Sequence, residues 1–178
     1  FIINPLPIAN AIGERQICEE DATGNDGYEV FNLPSYNNLI LAGNDTTPVS
    51  TYVVNFYTDA GLTNQIANPG AYTNVTNPQT IYVSVTTTNT YVDPVTGTTH
   101  TTSCTALTNF DIRVHPKPTI TQPAAPLATC DSTDGLNDGY QIYDFTSLEA
   151  EILNGQDPTQ FSVTFYESEY NPDATVPL

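Results

Sequence analysis

Residues 18–45 read CEEDATGNDGYEVFNLPSYNNLILAGND, and residues 130–157 read CDSTDGLNDGYQIYDFTSLEAEILNGQD. Laid over each other without a gap, at an offset of 112, they agree at ten of 28 positions. The agreement is densest where Asn25-Asp26-Gly27-Tyr28 meets Asn137-Asp138-Gly139-Tyr140. Cys18 also matches Cys130, Ile40-Leu41 matches Ile152-Leu153, and Asp45 matches Asp157. After a three-residue deletion the register resumes, with Val54, Phe56 and Tyr57 on Val163, Phe165 and Tyr166. Upstream, Pro5-Leu6-Pro7 resembles Pro116-Lys117-Pro118. Self-similarity at a fixed period marks a repeat architecture. The spacing predicts a repeat of about 110 residues. The reading is one nearly complete copy over 1–115, a proline-rich connector over 116–126 and the first half of a second copy over 127–178, cut from something longer.

Inside the first copy the apolar period is two, the mark of half-buried strands. Tyr52, Val54 and Phe56 alternate with Val53, Asn55 and Tyr57. Ile81, Val83 and Val85 alternate with Tyr82, Ser84 and Thr86, and Phe110, Ile112 and Val114 with Asp111, Arg113 and His115. Shorter strands are expected at Tyr28–Leu33 and around Gln65–Ala67. Turn signals separate these runs: Asn25-Asp26-Gly27, Asp59-Ala60-Gly61, Asn68-Pro69-Gly70, Asn77-Pro78 and Asp93-Pro94-Val95-Thr96-Gly97. One helical turn is expected at Ser147–Leu153; its counterpart at Ser35–Leu41 is a poorer helix former. The pattern predicts an all-β chain of tandem immunoglobulin-like β-sandwich repeats.

Charged residues make up only 13% of the 178, and twenty acidic residues face Lys117, Arg15 and Arg113, giving a formal net charge of −17. Such a charge repels nucleic-acid phosphates and anionic lipid headgroups. No apolar run approaches the ~18–20 residues that span a bilayer. His100 and His115, the only histidines, join no Ser–His–Asp or Cys–His arrangement, and no phosphate-cradling glycine loop occurs, so no enzymatic activity is expected. Residues 1–116 contain no lysine, which excludes a Lys–Asn isopeptide staple in the first copy.

Cys18 opens the first copy, Cys104 precedes its last strand, and Cys130 is the second copy's equivalent of Cys18. A Cys18–Cys104 disulfide is expected, with the partner of Cys130 falling beyond Leu178. Closing so long a loop constrains the unfolded chain by about 4–5 kcal/mol in the entropic model, and implies an oxidising compartment.

Two kinds of acidic loop are candidate sites. Glu20, Asp21, Asn25 and Asp26 in the first copy, and Asp131, Asp134, Asn137 and Asp138 in the second, offer the oxygen donors that calcium takes six to eight of. The plainer reading is that Asn-Asp-Gly is a tight turn, with glycine at positive φ and Asx side-chain hydrogen bonds. Asp45-Thr46-Thr47 and Asp131-Ser132-Thr133 also resemble an Asp-Ser/Thr-Thr acceptor for O-glycosylation, which places candidate glycans on Thr46 and Ser132.

The order Cys, acidic stretch, Asn-Asp-Gly-Tyr, Val-x-Phe-Tyr, then Ile66-Ala67-Asn68-Pro69-Gly70-Ala71-Tyr72, Asn77-Pro78-Gln79-Thr80-Ile81-Tyr82-Val83, Cys104 and Phe110-Asp111-Ile112-Arg113-Val114 resembles the repeats of very large flavobacterial surface proteins. These include type IX-secreted, gliding-motility-type adhesins. The resemblance implies display on the outside of a bacterial cell. It also implies contact with neighbouring repeats and with an extracellular surface, glycan or protein ligand, and a stalk or adhesin role. The alternatives are a carbohydrate-binding accessory module of a secreted enzyme and a self-assembling extracellular filament subunit.

Overall fold

The structure, a computed structural model, describes residues 5–20, 24–44, 51–124, 128, 130, 139–140 and 142–166. The chain divides into two compact units, Phe1–Lys117 and Pro118–Leu178.

The first unit is organised by one long hairpin. Its strands, β5 (Gln79–Val92) and β6 (Thr99–His115), pair antiparallel through fourteen positions, from Gln79↔Ile112 to Val92↔Thr99. The turn between them is dictated locally. Asp93 Oδ1 accepts the N–H groups of Val95 and Thr96, the Gly97 N–H donates to the Asp93 carbonyl, and Gly97 takes φ +67°. That geometry suits glycine because it has no Cβ. The exposed Asp93 carboxyl is held below its ordinary value, first by the Val95 N–H and then by the Thr96 N–H.

Strand β3 (Thr51–Tyr57) adds antiparallel to β5, and β1 (Arg15–Cys18) adds parallel to the last four residues of β6. The resulting curled, mixed sheet has the order β1-β6-β5-β3. A second sheet holds two short strands, β2 (Val30–Phe31) and β4 (Tyr72–Thr73). Between β2 and β3 the chain makes a 3-10 turn, Leu33–Tyr36, followed by a single α-turn, α1 (Asn37–Ile40).

The alternation read from sequence sets the core. Ile81, Val83 and Val85 of β5 and Phe110, Ile112 and Val114 of β6 share the inner face and are buried. Phe31, Leu33, Ile40, Phe56 and Ile66 close over them. Tyr36 meets Phe110 edge to face, with centroids 5.7 Å apart. Burying one such aliphatic or aromatic side chain stabilises by about 1.5–3 kcal/mol. The hairpin therefore supplies six of the eleven buried hydrophobic residues of this core.

The architecture is mostly β, as the alternation predicted. One sheet has four strands with a parallel pair, the other only two. The Tyr28–Leu33 strand contracts to two residues, and Gln65 makes only an isolated bridge to Tyr57. The reason is partner availability: backbone N–H and C=O groups form a ladder only where a second strand runs alongside.

In the second unit the described residues form one helix, α2 (Thr146–Leu153), which ends on Asn154 in the left-handed region followed by Gly155 at φ +83°. It occupies the place in the repeat of the 3-10 turn and α1, where Ser-Leu-Glu-Ala-Glu replaces Ser-Tyr-Asn-Asn-Leu. Glu and Ala favour helix over the two asparagines.

Candidate functional site

The Asn-Asp-Gly-Tyr motif sits where β6 leaves the first unit. Beyond Cys18, the Glu19 N–H donates to the His115 carbonyl (2.8 Å) and the Glu19 side chain is buried. Its carboxylate accepts the N–H groups of Asp26 (3.2 Å) and Gly27 (3.1 Å). A buried carboxylate requires such donors. Tyr28 N–H donates to Asp26 Oδ1 (2.9 Å), closing an Asx turn. Gly27 takes φ +80°, and a Cβ there would stand 3.2 Å from the Asn77 amide nitrogen.

Three side-chain amides hold the backbones around this loop. Asn77 donates to the Val114 carbonyl (2.8 Å) and accepts the Val114 N–H (2.9 Å). Asn25 does the same to Lys117, donating to its carbonyl (2.8 Å) and accepting its N–H (2.6 Å). Asn74, itself buried, accepts the Glu29 N–H (2.8 Å) and donates to the Gly27 carbonyl (2.8 Å) and the Thr76 carbonyl (3.0 Å). A carboxamide carries one acceptor and two donors, so it mimics the edge of a strand toward a passing backbone. Asn77 and Asn25 act as two such rungs on the outgoing chain.

The incoming chain is held alike. Asn44 accepts the Ile8 N–H (2.7 Å) and donates to the Ile8 carbonyl (2.8 Å) and the Leu41 carbonyl (2.8 Å), while the Asn10 N–H donates to the Ile40 carbonyl (3.0 Å). The second unit repeats this clamp residue for residue. Gln156 accepts the Thr119 N–H (2.8 Å) and donates to the carbonyls of Thr119 and Leu153, and the Thr121 N–H donates to the Ile152 carbonyl (3.2 Å). Asn44 and Gln156 stand at the same place in the repeat. Amide for amide, the alignment held this signal, although sequence reasoning did not single it out.

The cysteines do not meet as expected. Cys18 is exposed and lies opposite His115 on β6, whereas Cys104 lies eleven residues earlier on that strand, opposite Thr87. At ~3.3 Å per residue this separates them by about 36 Å. A disulfide needs Cα atoms within about 4.4–6.8 Å. The Cys18–Cys104 staple is therefore not formed within the unit; the parallel pairing of β1 to the far end of β6 forbids it.

The chain matches a family over two stretches, residues 14–118 and 126–177: the Flavobacterium inter-domain disulphide bond domain, or FIDD domain. The chain belongs to this family. Comparisons with curated proteins and with solved structures found no match.

The FIDD loop around Asn25 is engaged by protein. Both polar atoms of the Asn25 amide are committed to Lys117, Asp26 Oδ1 accepts the Tyr28 N–H, and the Glu20 N–H donates to Glu29. Among the described residues no group of three or more His, Cys, Asp or Glu side chains is arranged to hold a metal. Asp21, Asp131, Asp134, Asn137 and Asp138, and the glycosylation candidates Thr46 and Ser132, lie outside the described residues. Among the described residues no helix is long and apolar enough to cross a membrane. Glu19 shapes the loop, Asn25 holds the backbone of Lys117, and Asn77 holds that of Val114.

Proposed function

We propose that this chain is part of a surface-displayed flavobacterial stalk or adhesin, in which FIDD domains follow one another through clamped proline connectors and are cross-linked by disulfides between domains. The observation that carries this reading is the register of β1 and β6. It puts the two cysteines of the first domain about 36 Å apart. That separation keeps the two from bonding to each other, and the family's description, an inter-domain disulphide bond domain, supports pairing between domains.

Pairing Cys104 with Cys130 suits a tandem array. Joining the hairpin cysteine of one domain to the first cysteine of the next uses both kinds once per repeat, head to tail. Joining like to like, Cys18 to Cys130, would leave every hairpin cysteine over. The bond forms by thiol–disulfide exchange with an external disulfide, which is reduced to two thiols as Cys104 and Cys130 are oxidised. That chemistry belongs outside the cytoplasm, and the acidic surface suits a soluble, projecting chain.

The finer fold assignment is also a proposal. Read as an immunoglobulin-like sandwich, β3, β5 and β6 are the C, F and G strands, β2 and β4 the B and E strands, and β1 the strand that runs parallel to G. The sheet order β1-β6-β5-β3 beside β2-β4 supports that reading.

Peptide mapping of the chain under non-reducing conditions tests the linkage. A Cys104–Cys130 cross-linked peptide is expected; a Cys18–Cys104 peptide would overturn the inter-domain reading. Display is tested by protease shaving of intact flavobacterial cells, which should release peptides of this chain. Release only after lysis would remove the surface assignment.

A further inference from the structure

The middle of the β5–β6 hairpin is a run of rungs built from hydroxyls and one thiol. Thr86 stands opposite Thr105, Thr87 opposite Cys104, and Thr88 opposite Ser103. Residues opposite each other on paired strands share a face, and successive rungs alternate between faces. On the outer face the two flanking rungs close on themselves. Thr86 Oγ1 lies 2.9 Å from Thr105 Oγ1, and Thr88 Oγ1 lies 3.2 Å from Ser103 Oγ. The rung between them lies on the core side, two residues beyond buried Val85. There a hydroxyl faces a sulfur.

Thr87 is buried, only 3% exposed, yet among the described residues its Oγ1 has no hydrogen-bond partner. Glu19, Asn74 and Gln79 are buried likewise and are all bonded: Glu19 to Asp26 and Gly27, Asn74 to Glu29 and Gly27, Gln79 to Val75 and Tyr72. A valine would fill the same space as Thr87 with no hydroxyl to bury, and Val83 and Val85 do so at the two preceding inward positions. A buried hydroxyl left unbonded calls for a use that the packing alone does not supply. Half-buried Cys104 stands directly across from it, and the Cβ atoms of such opposed pairs are about 4.5–5.5 Å apart. A neutral thiol is a weak acceptor, whereas a negative charge on the acceptor makes a hydrogen bond much stronger.

We propose that Thr87 is the positioning residue for disulfide exchange at Cys104, its hydroxyl donating to the Cys104 sulfur while that sulfur carries negative charge. The inference rests on the inter-domain reading in one respect, that exchange at Cys104 is the step that links the domains. In the first half of that step the Cys104 thiolate attacks one sulfur of an external disulfide. The old S–S bond breaks, a mixed disulfide forms and one external thiolate leaves. In the second half the Cys130 thiolate attacks the Cys104 sulfur, and the other external thiolate leaves. The external disulfide is reduced to two thiols, which take up the protons that Cys104 and Cys130 gave up. Thr87 acts on the first half, where the charge sits on Cys104.

The test uses the full chain carrying Cys18→Ser and Cys130→Ser, so that Cys104 is its one cysteine. The coloured thiolate released from the aromatic disulfide DTNB reports the rate of attack at neutral pH. Thr87→Val, which keeps the volume and removes the hydroxyl, should slow the reaction about fivefold. Thr87→Ser, which keeps the hydroxyl, should stay within about twofold of the parent. In denaturant all three should react alike, because the rung no longer exists. An unchanged or faster rate in folded Thr87→Val would overturn the proposal. So would a Thr87→Ser rate as low as that of Thr87→Val, since the side chain would then matter only for packing. A folded parent whose Cys104 does not react would overturn it too. With no second cysteine present, these rates do not depend on whether Cys104 bonds Cys130, which the peptide mapping decides separately.

Discussion

Gly27 and Gly139 occupy the same place in the two Asn-Asp-Gly-Tyr motifs, and both take φ near +80°. Their surroundings differ: a Cβ on Gly27 would press on Asn77 at 3.2 Å, while nothing lies within 4 Å of one on Gly139. Gly139→Ala should cost about 1 kcal/mol for the left-handed backbone alone. Gly27→Ala should cost about 1 kcal/mol more, because the Asn77 amide that holds Val114 would have to shift to make room. Chemical denaturation of the two variants, followed domain by domain, checks the difference; equal costs would remove the argument. Asn77→Ala should destabilise the first domain by about 2 kcal/mol, since it strands a part-buried N–H and C=O on Val114. Asn25→Ala, at an exposed position, should cost about 1 kcal/mol or less and should instead loosen the connector, read as faster exchange of the Lys117 amide. Acid acts through Asx turns. The carboxyls of Asp59, Asp93, Asp144 and Asp157 are all held below the ordinary value of 3.8, Asp59 chiefly by the Asn64 N–H and Asp157 chiefly by the Thr159 N–H. A group whose folded pKa is depressed stabilises above its unfolded pKa and loses that contribution as pH falls through the folded one. These turns should therefore hold fully down to about pH 4 and weaken below it. A pH titration of Asp59→Ala should show its deficit against the parent shrinking below pH 4.

At the scale of elements, a strand here exists only in company. The sequence over 52–57 and over 161–166 carries one alternation, yet the first is strand with six ladder positions and the second, among the described residues, is not. Amides of 52–57 should accordingly be protected from exchange by orders of magnitude more than those of 161–166 in the same sample. Equal protection would show that the second copy's segment pairs with something. The long hairpin behaves oppositely: its register is written locally by Asp93, Gly97 and the alternation of Ile81, Val83 and Val85 against Phe110 and Ile112. A one-residue slip would turn that entire set to solvent. Helices follow the same division. Propensity explains why α2 is longer than α1, but the burial of Leu33 and Ile40 explains why the first copy folds a turn there at all.

For the whole molecule, the proposed stalk makes Cys104 and Cys130 links between neighbouring domains, because the register of β1 and β6 keeps Cys18 from Cys104. A Cys104–Cys130 bond closes a loop of about 26 residues and should stabilise by about 3.5 kcal/mol in the entropic model. Reduction should lower the midpoint of the oxidised chain by about that amount, and Cys18→Ser should leave it unchanged. Loss of the effect in Cys18→Ser would show that Cys18 is the partner instead. Under force, an array so linked should release hidden length only in reductant, which single-molecule pulling reads directly.

The sequence by itself determined the repeat, the acidic surface, the strand-by-strand alternation and the hairpin turn. Each is a local property, legible as spacing, charge or a glycine that must take positive φ. Seven of the core residues, Phe56 and the six of the hairpin, stand in the alternating runs read before any contact was known. The disulfide could not, because Cys18 and Cys104 look like the two ends of one domain until β1 is seen to run parallel to the far end of β6. Nor could the role of Asn25, whose amide serves as a turn residue or a cation ligand until the Lys117 backbone is placed against it. Nor could the burial of Glu19, which stands in the same acidic run as Glu20 and Asp21. What only the tertiary structure decided is which distant backbone each polar side chain meets. A carboxamide or a thiol carries no periodicity of its own, and its partner is set by how the strands between them are ordered.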